Sequence, residues 1–522
     1  MPLTQWWGKA RNVPGAPRTR GLAVTAEEWS RCAGDVAASG GRLLAMWASA
    51  CRDSDGDVTL EIEDVYAAEP GEPARDGSSW ATDIYAAFLI DAGVLILELS
   101  VRLDVMPPAE RPDYPGIEAL FPCASRMQRA LFDMSGIRSS ASDRRPWLRH
   151  PPEGYEFVRV SGEGVHEIGV GPVHAGTIEP GHFRFSVVGE KVLRLEERLG
   201  YTHKGIERRF AELPLLEGHR LAARIAGDSA VAHSWAYCQA LEGMAGCVIP
   251  PRAAALRALC LELERIANHL GDIGALANDA GFAFGLGQFS RLKEELLRAL
   301  SQAFGQRYLL DMVVPGGTRV DVSPEASGSL AARIAAVRRE SAELRTIYED
   351  HAGIRDRFTA TGVLTPELAL RLGVLGLVGR ASGQALDARI DFPCAPYDEL
   401  PPAKGVRHEG DVAARVAVRF DELAESCRLA GTLLAALPPG PHLVSIPAPP
   451  DGSFATGHIE GWRGPVFVAL QAGPAGTIRR CHPHDPSWQN WPALEHAILG
   501  NIVADFPLIN KSFNLAYSGV DL

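Results

Sequence analysis

The feature that most constrains the fold is a helical repeat of apolar residues in the middle of the chain. Between Arg252 and Leu270, leucine and isoleucine recur at spacings of three and four, and the charged residues fall off this stripe. Residues at these spacings share one face of an α-helix, so the stripe predicts a helix with one buried face. Similar patterns run from Phe289 to Phe304, from Leu330 to Tyr348 and from Asp411 to Leu437. We therefore predict a helical bundle at the centre of the chain.

The sequence on either side of the bundle follows other patterns. The first 150 residues mix short apolar runs with Gly-, Ser- and Pro-rich breaks, which is typical of a small α/β domain. A basic, proline-rich segment from Arg144 to Gly154 predicts a linker, so we place a domain boundary near residue 150. Short strands are expected from Tyr155 to Val170, helices from Lys191, β-type runs from His442, and a final helix from Trp491.

These patterns together predict an α+β protein of two domains. Residues 1–150 form the small α/β domain, and residues 151–522 form a helical-bundle core flanked by β-sheets.

Composition excludes several classes of protein. The 522 residues carry a net charge of −12, so the surface should repel nucleic acid. The most apolar stretch, Ala86 to Val101, contains Asp91 and Glu98 and is too short to span a bilayer. The first ten residues lack the apolar segment of a secretory signal. The nine cysteines include no CxxC motif, which is typical of reduced thiols in the cytosol.

Local motifs offer little chemistry of their own. The segment from Gly285 to Ser290 lacks the lysine of a phosphate-binding loop, and we interpret it as a turn before a helix. The run His482-Pro-His484-Asp485 does not match a structural zinc spacing. Neither Ser229 nor Ser382 lies in the GxSxG elbow of a serine hydrolase.

A series of segments, in chain order, resembles one family. The stretch RIAGDSAVAHSWAYCQALE, from Arg224 to Glu242, is similar to the first metal-ligand region of nickel–iron hydrogenase large subunits. More specifically, it resembles the energy-converting, membrane-bound hydrogenases and the larger hydrophilic core subunit of respiratory complex I. Further matching segments are GPVHAG from Gly171, YTHKGIE from Tyr201, ELERIANH from Glu262, PGG from Pro315, RASG from Arg380 with Asp387 and Arg389, and Gly410 to Glu422.

The N-terminal region carries a resemblance of its own. RALFDMSG, from Arg129 to Gly136, resembles a signature of the smaller hydrophilic complex I subunit. The resemblance thus implies that both subunits are fused in one chain. It assigns residues 1–150 to a domain like the smaller subunit, and residues 151–522 to a fold like the hydrogenase large subunit.

The resemblance also indicates where relatives hold metal. A nickel–iron centre needs four soft thiolates, supplied by two CxxC pairs. The matching positions in this chain are occupied by Ala226, Ser229, Ala516 and Gly519. We therefore expect no metal on this chain and no hydrogenase activity. Because the chain has no cysteine cluster, iron–sulfur centres are expected on a partner subunit.

Quinone reduction is the other chemistry that the resemblance implies. In complex I a tyrosine and a histidine donate hydrogen bonds to the quinone headgroup. The tyrosine position matches Gly227 here, and the histidine position matches the vicinity of Ile178, with His174 as a neighbour. We therefore expect the quinone site to lack these two donors or to be built from other residues. Quinone stays a candidate ligand.

Nine polar residues make up the predicted site. They are Glu179, Arg224, Asp228, Ser229, His233, Tyr237, Arg380, Asp387 and Arg389. On one interpretation they line a cavity at the former metal or quinone site, which binds a small ligand or relays protons. On the other they are core polar groups that hold helices in register, and the shared helix face of His233 and Tyr237 suits both. Glu460 and Arg463 are assigned to a hairpin that is typical of the family.

The resemblance implies a peripheral core subunit on the cytoplasmic side of the membrane. Its complex would be a complex I-like, hydrogenase-related oxidoreductase that couples electron transfer to ion translocation. The implied partners are an iron–sulfur small subunit and membrane subunits that translocate ions. The alternative is a redox-active subunit of an NADH- or ferredoxin-linked quinone oxidoreductase with a rearranged pocket. Its proton donors would be Tyr237, His233 and Asp228.

Overall fold

The N-terminal part is built around a five-stranded sheet. A computed structural model describes residues 2–49, 81–102, 113–150, 154–174 and 178–522. The first elements are α1 (Pro2–Lys9), β1 (Arg11–Asn12), β2 (Thr19–Ala23), α2 (Ala26–Ala38), β3 (Arg42–Ala48), β4 (Ala81–Ile90), β5 (Gly93–Arg102) and α3 (Ala124–Ser135). The strand order is β1-β2-β5-β4-β3, with β2 and β5 parallel and the other pairs antiparallel. Helices and a mixed sheet agree with the predicted α/β character.

A second sheet corrects two predictions. Its three antiparallel strands are β6 (Val165–Val170), β7 (His182–Val188) and β8 (Lys191–Arg198). Of the stretch from Tyr155, where strands were expected, residues 165–170 alone form one. The prediction of helices from Lys191 was wrong, because residues 191–198 pair with β7 and bury Val192 and Leu195 against the core. The first helix after this sheet begins at Ile206.

The segment predicted to be a linker is packed against this sheet. Arg145 Nη1 donates to Glu196 on β8 at 2.5 Å, and the Trp147 amide donates to Asp133 on α3 at 2.6 Å. Residues 151–153 lie outside the described residues. The domain boundary near residue 150 therefore stays a prediction.

The middle of the chain is helical, as predicted. Its elements are α4 (Ile206–Ala211), α5 (Gly218–Ala222), α6 (Ala230–Met244), α7 (Pro251–Asp279), α8 (Ala283–Phe304), β9 (Val313–Val314), β10 (Gly317–Thr318), α9 (Pro324–Asp350), α10 (Ala352–Phe358), α11 (Pro366–Leu372), α12 (Gly376–Ala381), α13 (Ala388–Asp391) and α14 (Val412–Ala435). The long helix α7 packs between α8 and α14. The predicted turn from Gly285 to Ser290 is instead the start of α8, so the prediction of a turn was wrong.

A third sheet completes the chain. Its antiparallel strands are β11 (Phe454–Glu460), β12 (Pro465–Ala472) and β13 (Ile478–His484), followed by α15 (Ser487–Ala497), α16 (Phe506–Phe513) and α17 (Ser518–Asp521). Residues 442–447 form no strand, although Leu443 makes an isolated bridge to Gly317. Trp491 lies inside α15 rather than at its start. The α+β fold class is confirmed.

The third sheet lies between α6 and the N-terminal sheet. On one face β11 approaches α6 so closely that a Cβ at Gly457 would lie 1.8 Å from the Ala236 carbonyl oxygen. On the other face Trp47 of β3 stacks on His482 and packs against Phe467. This sheet therefore places both the turn after β11 and the end of β13 against the start of α6. Within the described ranges, no helix combines the length and apolar character needed to cross a membrane.

Candidate functional site

The start of α6 is the centre of the candidate site. Asp228 and Ser229 lie just before the helix, and Arg463 reaches them from the turn between β11 and β12. The Arg463 guanidinium donates to the two carboxylate oxygens of Asp228 at 2.7 and 2.5 Å, and to Ser229 Oγ at 3.2 Å. Two such bonds fix a guanidinium in position and orientation. Burial disfavours the charge on Arg463, but the Asp228 carboxylate outweighs burial and raises the arginine pKa.

A second carboxylate, Asp485, lies at the same place. It follows β13, is 1% exposed, and its Oδ2 lies 3.4 Å from Nε2 of His233 on α6. Its Oδ1 accepts a hydrogen bond of 2.8 Å from the Ser487 amide. Burial disfavours ionisation, but the His233 hydrogen bond and the charges of His233 and Arg463 lower the pKa of Asp485 to about 2. Asp485 is therefore an ionised, buried group. We call Asp228, Ser229, His233, Arg463 and Asp485 the junction cluster.

Arg463 of the junction cluster, together with Ser487 and Glu179, holds the C-terminal segment, residues 514–521, in place. Arg463 Nε donates to the Asn514 carbonyl oxygen at 2.5 Å. The Ala516 amide donates to Ser487 Oγ at 3.0 Å, and the Tyr517 amide donates to the carboxylate of Glu179 at 3.1 Å. Glu179, one of the predicted site residues, thus lies next to this segment on the exposed side.

Gly519 shows how closely this segment approaches the cluster. A Cβ at position 519 would lie 2.9 Å from both Cβ and Cγ of Asp485, which is too short for a real contact. The Asp485 side chain therefore takes up the space that a side chain at position 519 would need.

The donor groups at this junction do not suit a nickel–iron centre. Ala226 and Ser229 precede α6, and Ala516 and Gly519 lie in the C-terminal segment, so none of the four expected ligand positions offers sulfur. The polar groups around them are carboxylates, an imidazole and a guanidinium, whereas nickel–iron chemistry needs soft thiolates. The described residues also contain no group of three or more His, Cys, Asp or Glu arranged to hold a metal ion.

The described cysteines are free thiols rather than prepared ligands. Burial raises the pKa of every one of them, and this disfavours the thiolate that a metal requires. They are Cys32, Cys123, Cys238, Cys247, Cys260, Cys394, Cys427 and Cys481. Cys51 lies outside the described residues.

Two predicted site residues make their contacts away from the junction cluster. The Arg224 guanidinium is half-exposed and pairs with Asp311 at 2.6 and 2.8 Å. Tyr237 is fully buried, stacks on Phe210, and donates its hydroxyl to the Leu215 carbonyl oxygen at 2.7 Å. Tyr237 is thus engaged as a core side chain, on the same helix as His233 but with other partners.

Arg380, Asp387 and Arg389 belong to a separate buried ionic network, which we call the core cluster. Its members are Glu262, Arg265 and His269 of α7, Arg380 of α12, Asp387 just before α13, Arg389 of α13, Glu422 of α14 and Glu460 of β11. Arg389 bridges Glu262 at 3.0 Å and Asp387 at 2.7 Å. Arg380 bridges Glu422 at 2.7 Å and Glu460 at 2.8 Å. The cluster thereby links four helices to the third sheet.

Comparison with known proteins identifies the family. Residues 279–450 match the family "Respiratory-chain NADH dehydrogenase, 49 Kd subunit". Formate hydrogenlyase subunit 5 of Escherichia coli is 30% identical over 452 residues, which cover 81% of this chain and 79% of that protein. The chain belongs to the family of membrane-bound hydrogenase large subunits and complex I 49 kDa subunits. The resemblance inferred from the sequence motifs is thereby confirmed.

Two further relatives support this assignment. The C/D subunit of the NADH-quinone oxidoreductase of Bacteroides fragilis is 27% identical over 79% of this chain and 86% of that protein. A chain of the membrane-bound sulfane sulfur reductase, described as an archaeal respiratory membrane complex, superposes with a TM-score of 0.65 at 25% identity. That superposition covers 69% of this chain and 99% of the other. The chain is therefore similar in sequence to a formate hydrogenlyase subunit and an NADH-quinone oxidoreductase subunit, and similar in fold to a chain of the sulfane sulfur reductase.

Sequence reasoning did not assign Asp485 to the site. His233 and Asp485 are 252 positions apart, so their contact depends on how β13 packs against α6. Arg463 was named as a hairpin residue, and its pairing with Asp228 spans 235 positions. The one available signal was the acidic residue at the end of the unusual run His482-Pro-His484-Asp485.

Proposed function

We propose that this chain is a peripheral core subunit of a membrane-bound oxidoreductase complex and that it works without a nickel–iron centre. Its role is to dock an iron–sulfur subunit against membrane subunits and to couple redox or conformational change to ion translocation. The family assignment supports the membership in such a complex, since the relatives are named as subunits of a formate hydrogenlyase and of an NADH-quinone oxidoreductase. On this proposal the chain lies on the cytoplasmic side of the membrane.

The observation that carries the proposal is the packing of Asp485 against Gly519. A thiolate at position 519 would need the space that the Asp485 side chain fills. The Asp485 carboxylate lies against His233, and the charge of Arg463, which is paired with Asp228, also helps to keep Asp485 ionised. Arg463, Ser487 and Glu179 hold the C-terminal segment by hydrogen bonds, a role that metal–thiolate bonds would otherwise serve.

Isolation of the assembly tests the docking role. The full chain, tagged and purified from its native membranes in mild detergent, should be recovered with an iron–sulfur protein and integral membrane proteins in fixed ratio. The junction cluster variant Asp485→Asn should weaken this recovery, whereas Arg224→Gln, which alters an exposed ion pair, should not. Recovery of the wild-type chain without membrane subunits would contradict the proposal.

The alternative, a quinone-reducing subunit, is tested at Tyr237. That alternative makes the Tyr237 hydroxyl a proton donor, so Tyr237→Phe should lower quinone reduction roughly a hundredfold. The hydroxyl donates to the Leu215 carbonyl oxygen from a fully buried position, so our proposal expects turnover of the intact complex to stay within about twofold. Tyr348→Phe is the matched control, because Tyr348 is also buried and donates to a helix carbonyl, that of Ile273. A hundredfold loss at Tyr237 alone would favour the alternative.

A further inference from the structure

The core cluster has an unequal number of positive and negative groups. Its arginines are Arg265, Arg380 and Arg389, and its carboxylates are Glu262, Asp387, Glu422 and Glu460. With every arginine and carboxylate ionised and His269 neutral, the described members carry one excess negative charge. No member is more than 5% exposed, so water does not screen that charge. A buried, uncompensated charge is costly, and a group in that situation takes up a proton instead.

We propose that the core cluster binds one exchangeable proton at neutral pH and that Glu460 holds it. The cluster is thus a buried proton-binding site between the helical bundle and the third sheet. This inference rests on the charges and contacts of the cluster and does not depend on the proposed function.

Glu460 is the least compensated of the four carboxylates. Glu262 accepts from Arg389 at 3.0 Å, Tyr397 at 2.6 Å and Ser426 at 2.6 Å, so its charge is well satisfied. Among the residues that the structure describes, Glu460 has one ion-pair partner, Arg380, which it shares with Glu422. Its second oxygen accepts, within the same residues, only the Ala388 amide at 3.1 Å.

The neighbouring charges favour the same assignment. The groups that face Glu460 are Arg380, Asp387 and Arg265, and behind them lie Arg389, Glu422, Glu262 and His269. Burial and the charge of Asp387 raise the pKa of Glu460. Burial also opposes ionisation of Glu262, Asp387 and Glu422, but the arginines beside them outweigh it and lower their pKa values.

His269 is the competing holder of the proton. Its Nε2 lies 3.0 Å from Glu422, which favours the imidazolium, but burial outweighs this and lowers the pKa of His269. The proton is therefore placed on Glu460 rather than on the imidazole.

The core cluster holds unused donors for the carboxylate that forms when the proton leaves. Arg265 Nε, Arg380 Nη2 and His269 Nδ1 are buried and have no hydrogen-bond partner among the described residues. A cluster with spare N–H donors can stabilise a fourth carboxylate when the proton leaves, at the cost of small side-chain rotations.

Two variants of the full chain distinguish a neutral Glu460 from an ionised one. Glu460→Gln replaces a protonated carboxyl with a neutral group of the same shape, so at pH 7 the midpoint temperature of unfolding should change by less than about 2 °C. Glu422→Gln is the matched control, since it removes an ionised carboxylate from the same arginine and should lower the midpoint of this 522-residue chain by about 3–5 °C. Equal losses in the two variants would overturn the assignment.

Infrared spectroscopy gives an independent result if either variant folds poorly. The spectrum of the wild type at pH 7 minus that of Glu460→Gln should contain the C=O stretching band of a protonated carboxyl. The corresponding difference for Glu422→Gln should contain bands of an ionised carboxylate instead. A carboxylate signature in the Glu460→Gln difference would overturn the proposal.

Discussion

The titration of Glu264 tests whether burial keeps this carboxyl protonated next to the junction cluster. This residue lies on α7, is 6% exposed, and caps the start of α6 by accepting the Val231 amide at 2.8 Å. Burial, together with the nearby charge of Asp228, raises its pKa to about 8, although the Val231 hydrogen bond opposes the shift. Glu264 is therefore protonated in the folded chain at pH values where the unfolded chain has lost that proton.

The sign of the pH dependence follows from this raised pKa. The folded state binds the proton more tightly, so the stabilisation is complete below the ordinary pKa of 4.5 and is lost as pH rises through about 8. One pH unit between the two pKa values is worth about 1.4 kcal/mol. The free energy of unfolding can therefore fall by at most about 5 kcal/mol as pH rises from 4.5 to about 8. Glu264→Gln keeps an acceptor for the Val231 amide and removes the titration.

Denaturant unfolding of the full chain between about pH 5 and pH 9 measures the effect. The wild type should lose stability with rising pH more steeply than Glu264→Gln, and the variant should be the more stable of the two at the alkaline end. Glu262→Gln is the matched control on the same helix, because Glu262 is paired with Arg389 and its replacement should destabilise the fold at every pH. Parallel pH profiles for the wild type and Glu264→Gln would refute this reasoning.

Three further predictions concern single side chains. Arg463→Met removes a buried guanidinium whose charge also stabilises the buried Asp485 carboxylate, so it should cost about 3 kcal/mol in denaturant unfolding. Arg224→Met should cost less than about 1 kcal/mol because the Arg224 guanidinium is half-exposed, and equal costs would contradict the geometry. Gly519→Cys should cost about 1–3 kcal/mol by crowding Asp485, and a variant as stable as the wild type would show that the space is free. The third prediction concerns His458, which is buried and whose two ring nitrogens lack a partner among the described residues. Burial lowers the pKa of His458 to about 4. The wild type should therefore lose stability as pH falls from 6.5 through 4. His458→Leu should remove that loss, and an unchanged acid profile of thermal unfolding would argue against a neutral buried imidazole.

Much of the fold could be predicted because its signals are local. The stripe from Arg252 to Leu270 lies within α7, since a period of three and four residues reports directly on a buried helix face. The predictions failed where pairing is decided by distant partners. Residues 191–198 became a strand because they pair with β7, and the run from His442 stayed outside the third sheet although its composition is β-like.

The candidate site was only partly accessible from sequence for the same reason. Asp228, Ser229 and His233 are close in the sequence, and all three lie at the start of α6. Asp485 and Arg463 join them through long-range packing that no spacing rule reports. Arg380, Asp387 and Arg389 could be singled out from motifs, but their carboxylate partners on α7, α14 and β11 became visible only in the folded structure.

The central claim is that this family member works without a nickel–iron centre. The most direct test is the nickel content per copy of the chain, measured by elemental mass spectrometry on the complex isolated from native membranes with its partners attached. The account predicts nickel at background level, because carboxylate, imidazole and guanidinium groups occupy the junction between α6 and the C-terminal segment. Nickel in one-to-one ratio with the chain would contradict it and restore hydrogen chemistry as the function.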